Sequence, residues 1–66
     1  MIFEYDITDE QLERIKEIKK EYTLTDDDFE DAFIRFWSKD EIQIDGCLTV
    51  GELICLVKIM EYLQGE

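Results

Sequence analysis

Eighteen carboxylates, seven bases and no histidine set the chemistry open to this 66-residue chain. Without an imidazole there is no His-based acid–base pair and no ordinary zinc ligand set. Cys47 and Cys55 form no C-x-x-C pair and stand among acids, which disfavour a thiolate. Both read as small buried hydrophobes in a reducing compartment. A catalyst would have to work with carboxylates alone, so the chain is read as a binder and not as an enzyme. Its net charge of −11 repels phosphates, and affinity for nucleic acid comes from Lys and Arg neutralising them. Direct nucleic-acid binding is therefore not expected, and a basic protein is the partner such a surface suits.

The acids are unevenly spread. Residues 23–52 hold nine of them against Arg35 and Lys39, which is seven of the eleven net charges. The candidate partner-binding residues are Asp27, Asp28, Glu30, Asp31, Ile34, Asp40, Glu41 and Asp45. On a helix, Asp27 and Asp31 would stand about 6 Å apart, comparable with the spacing of charges along a nucleic-acid strand. The expected function is a small acidic interaction or inhibitor protein whose negative face covers a basic surface. Its narrower form is a nucleic-acid mimic directed at a nucleic-acid-binding enzyme. In size and charge, though in no motif, the chain resembles phage-encoded anti-restriction and anti-CRISPR inhibitors.

A single degenerate EF-hand-like domain, calcium-binding or a relic without calcium, is the alternative. Phe29-Glu-Asp-Ala32-Phe33-Ile-Arg-Phe36 resembles the entering helix of an EF-hand, and Asp45-Gly46 through Glu52-Leu53 resembles the second half of its loop. That resemblance implies Glu41, Gln43, Asp45 and Glu52 as metal ligands. Outside it, no metal or other cofactor is expected.

Three helix starts share one local grammar. Thr8 with Gln11, Thr25 with Asp28, and Thr49 with Glu52 each pair a capping Thr with a side chain that reaches back, beside an apolar staple. They predict an all-α, compact three-helix domain over 1–66, with helices at about 9–22, 26–38 and 50–64. In the first helix Leu12, Ile15, Ile18 and Tyr22 form the inner stripe. Pairs Glu10–Arg14, Glu13–Lys16 and Glu17–Lys20 would lace its outer side. In the second, Phe29, Ala32, Phe33, Phe36 and Trp37 fall at helical spacing and should be buried, with Ile34 off that face.

The third helix is the organising element. Nine of the eleven residues Leu53–Leu63 are apolar, far more than the stripe of a surface helix. It should be surrounded by the rest of the chain, with the surplus suited to a homodimer contact. At eleven residues the run is too short to span a bilayer, and Met1–Thr8 carries acids where a signal peptide has bases. A cytoplasmic protein without membrane contact is expected. The alternation in Met1–Ile7 predicts a short extended N-terminal arm, able to pair with residues 41–44.

Overall fold

The computed structural model describes residues 1–65. Its element order is β1 (Ile2–Phe3), α1 (Asp9–Glu21), a 3-10 turn (Asp26–Phe29), β2 (Ala32–Ser38), β3 (Glu41–Gly46) and α2 (Val50–Gly65). Two helices and a three-stranded mixed sheet make this an α/β fold, which overturns the three-helix expectation.

The error lies in the second helix. Its capping residues are in place: Asp28 Oδ2 accepts from Thr25 N at 2.7 Å and from the Thr25 hydroxyl at 3.2 Å. The turn they close ends at Phe29, however, and the chain then runs extended as β2. Phe33, Ile34, Phe36 and Trp37 are aromatic and β-branched residues, which suit a pleated strand better than a helix. Period two replaces period 3.6. Ile34 and Phe36 turn into the core at 3% and 0% exposure, whereas Phe33 and Trp37 stand outside at 40% and 46%. Ile34, expected on the surface, is core.

The sheet order is β1-β2-β3. The N-terminal arm does pair, but in parallel with β2 and not with residues 41–44: Ile2 lies opposite Arg35 and Phe3 opposite Phe36. Glu4 N–H donates to Phe36 O at 2.9 Å, and the Phe3 ring stacks on Phe36 with centroids 4.6 Å apart. A parallel pair needs a long crossover, which α1 provides. β3 takes the other side of β2 in antiparallel register, Ile34 to Ile44 and Phe36 to Ile42, with an irregularity at Trp37.

Both helices contribute to one core on the inner face of the sheet. Ile15 and Ile18 of α1, Phe29, Ile34 and Phe36, and Cys55, Leu56, Ile59 and Leu63 of α2 are its buried members. α1 begins with a complete capping box between Thr8 and Gln11, and its C-terminal turn carries Lys19 and Lys20, where a cation suits the helix dipole. It ends through Thr23, which holds φ 55° while its N–H donates to Lys20 O. Of the expected surface pairs only Glu13–Lys16 is present among the described residues. Arg14 bridges to Glu17 and Glu21. α2 opens on the Thr49–Glu52 box, whose reciprocal bonds are 2.9 and 3.1 Å. It is only half surrounded, since Val50, Leu53, Ile54 and Val57 remain exposed. Among the described residues no helix is long and apolar enough to cross a membrane.

Candidate functional site

Among the described residues no second layer covers the outer face of the sheet. Alternation along β2 puts Phe33, Arg35 and Trp37 on it, and the register with β3 sets Asp45 opposite Phe33 and Gln43 opposite Arg35. The Arg35 guanidinium lies 5.1 Å from the Phe33 ring centroid and 4.8 Å from that of Trp37, a cation held between two aromatic faces. Glu4 approaches Arg35 Nε at 3.2 Å from the β1 side, so this one cation is already paired. Trp37 Nε1–H donates to Gln43 Oε1 at 3.0 Å, and Gln43 Nε2–H donates to Asp45 Oδ2 at 3.0 Å. These contacts hold the aromatic side chains in fixed positions on an open surface. Sequence reasoning missed Phe33 and Trp37 as surface residues because helical spacing put them inside.

The candidate carboxylates fall into two groups. Ala32 pairs with Gly46, which brings Asp31 beside the end of β3. A Cβ on Gly46, at φ +111°, would stand 2.6 Å from Asp31 O, so only glycine permits this approach. Asp27, Asp28, Glu30, Asp31 and Asp45 therefore share one end of the sheet, and all are exposed. Asp40 and Glu41 sit at the opposite end, in the β2–β3 turn, roughly 20 Å away along a seven-residue strand. The 3-10 turn also removes the helical spacing of Asp27 and Asp31 that would match a row of phosphates. Asp28 is occupied by the Thr25 cap. Among the described residues Asp27, Glu30, Asp31 and Asp45 have no ion pair with a base.

Neighbouring acids differ. Asp26 is held below the usual carboxylate range by the hydrogen bond and charge of Lys19. Lys19 is itself buried, with its ammonium 5.9 Å from the Phe29 ring centroid. Burial raises the Tyr5 phenol, and Asp40 adds to that shift. Among the described residues the buried Tyr5 hydroxyl has no hydrogen-bond partner. Burial likewise pushes the Cys55 thiol up, against a smaller effect of Lys19. Cys47 is exposed, contrary to the expectation that both cysteines are core.

The EF-hand ligand set is not assembled. Glu41, Gln43 and Asp45 alternate along an extended strand, which cannot wrap an ion as a loop does. Glu52 is engaged in its cap. Among the described residues no three His, Cys, Asp or Glu side chains converge on a metal position. The arrangement sets two exposed aromatic faces beside carboxylates that have no ion pair with a base among the described residues. No family model, no curated protein and no solved structure matches this chain.

Proposed function

We propose that the chain is a small acidic interaction protein, of inhibitor type, that covers a basic surface on a protein partner. It docks through the uncovered sheet face and the carboxylates at the Asp31–Asp45 end. The reading rests on Phe33 and Trp37, which are 40% and 46% exposed on a face that no other described element covers. Large, rigid aromatic side chains, tryptophan above all, are the usual anchors of protein interfaces. Carboxylates around them select a cationic counterpart and speed its approach. Base stacking on the same two rings is disfavoured by the net charge of −11. Mimicry of nucleic acid against a nucleic-acid-binding enzyme is the narrower form of the proposal; without the helical spacing of Asp27 and Asp31 it rests on the clustering of carboxylates at the Asp31–Asp45 end.

The test compares wild type with two variants as affinity baits, one lacking the anchors (Phe33→Ala with Trp37→Ala) and one with Asp27, Glu30, Asp31 and Asp45 amidated. A basic partner should be retained at low salt, released at high salt, and lost by both variants. Release of that partner by added nucleic acid identifies mimicry. Retention that ignores both salt and amidation refutes the proposal.

A further inference from the structure

β3 is the terminal strand of the sheet. An antiparallel strand gives only half of its N–H and C=O groups to one neighbour, and the others point away from it. Among the described residues no backbone bond outside the β2 ladder reaches Glu41–Gly46. The strand has neither proline nor lysine within it, the residues that commonly block an open edge. Its inner side chains, Ile42 and Ile44, form one wall of a groove of about 260 Å³, and Leu53, Leu56, Val57 and Met60 of α2 form the other. A strand edge and an apolar groove beside it are the two parts of a site for strand addition, in which the main chain gives affinity and alternate side chains give selectivity.

The charges say which strand fits. On the outer side of β3 stand Glu41, Gln43 and Asp45, alternating with the two isoleucines. A second copy pairing antiparallel about Gln43 would set Glu41 of each chain against Asp45 of the other, and like charges directly opposite destabilise a pair. A segment with Lys or Arg at those positions meets the reverse situation. We infer that β3 and α2 bind an extended peptide as a fourth strand, its alternate apolar side chains entering the groove and the basic ones between them facing Glu41 and Asp45. The sign of the partner's charge rests on the proposed function; the groove and the edge do not.

The test is an NMR titration of the full-length, isotope-labelled chain with a Gly-Ser-flanked Lys-Val-Lys-Val-Lys peptide. The same peptide carrying N-methyl groups on alternate residues, in each of the two phases, serves as the control. Shifts should map to Ile42–Asp45, Leu53 and Val57, and one methylation phase should abolish binding while the other leaves it. Val57 is 47% exposed, so Val57→Lys should fold normally, as circular dichroism will report, and weaken binding by about tenfold or more. Glu41→Lys with Asp45→Lys should transfer preference to a Glu-Val-Glu-Val-Glu peptide.

Shifts confined to Phe33 and Trp37 would overturn the inference and leave the acidic docking face standing. Indifference to both methylation phases, or no binding of the lysine peptide to wild type, also overturns it. Groove binding of equal strength by both peptides would retain strand addition and remove the charge selection taken from the proposed function. A peptide-free dimer with β3 at its contact would assign the edge to a second copy and refute the inference.

Discussion

Substituting Ile34 and Trp37 one at a time separates the strand from the helix that the same residues could have formed. Ile34 is 3% exposed and belongs to the same buried core as Phe36 and the α2 residues Cys55, Leu56, Ile59 and Leu63. Ile34→Ala should cost about 2–5 kcal/mol, and the milder Ile34→Val about 0.5–1.5 kcal/mol. Trp37 loses less on truncation. Its hydrogen bond to Gln43 is worth about 1 kcal/mol net, and its contact with Arg35 about 0.5–1 kcal/mol at an exposed site. Trp37→Ala should thus cost about 1–2 kcal/mol. A core in a domain this small rarely supplies more than about 3–5 kcal/mol, so Ile34→Ala is at the edge of unfolding without denaturant. Ile34→Val keeps the comparison measurable. Urea melts followed by far-ultraviolet circular dichroism give the values without relying on the tryptophan. The expected order is Ile34→Ala above Trp37→Ala, with Trp37→Ala retaining a cooperative transition. A tolerant Ile34 and a Trp37 whose loss unfolds the chain would return both residues to a helical face and remove the proposed docking surface.

Two further outcomes follow from local geometry. Thr23 holds φ 55° at the end of α1, a conformation that costs a non-glycine residue about 1–2 kcal/mol. Glycine recovers part of this against its own larger entropy loss, so Thr23→Gly should raise stability by about 0.5–1 kcal/mol. A thermal melt several degrees higher is the expected reading, and a lower one would contradict the left-handed cap. The Lys19–Asp26 pair makes stability depend on pH in the acid range. Because the folded-state pKa of Asp26 lies below its ordinary 3.8, its contribution is fully present above that value. It is lost as pH falls through the depressed one. Asp26 is largely exposed, so the effect is modest. Lys19→Met should flatten this part of the acid limb in denaturant melts collected across pH.

Two of the three helix-start signals in the sequence hold, and the long-range pairing is not visible in any of them. The Thr8 and Thr49 boxes mark the starts of α1 and α2 within a residue. The Thr25 box has the same grammar but closes only a 3-10 turn, since a cap lowers the cost of starting a helix and cannot propagate one through poor formers. Phe29, Ala32, Phe33, Phe36 and Trp37 satisfy a helical stripe, while Ala32, Ile34 and Phe36 satisfy a strand. Ile34 was the discriminating residue, left without a place on the helix and central on the strand. With residues 32–38 as a helix, the extended segments at 2–3 and 41–46 have only each other to pair with, whereas in the sheet β2 lies between them. The candidate carboxylates were legible as charge but not as a surface. Whether Asp31 meets Asp45 depends on the Ala32–Gly46 register, which no local pattern encodes.

The open face and the open edge also explain why so much negative charge accompanies so small a core. Exposed aromatics and an unpaired strand edge are sites of self-association. Glu41 and Asp45 border both of them here, and the net charge of −11 works against the approach of a second copy. The carboxylates proposed to draw a cationic partner therefore also keep copies of the chain apart. The α2 surface is the exception, because Val50, Leu53, Ile54 and Val57 are exposed and Lys58 offsets Glu61 beside them. A homodimer, if the chain forms one, meets least repulsion there. Salt then acts with opposite sign on the two kinds of contact. It screens attraction to a basic partner beyond about 8 Å at physiological strength, and by the same screening it lowers the barrier between like-charged copies.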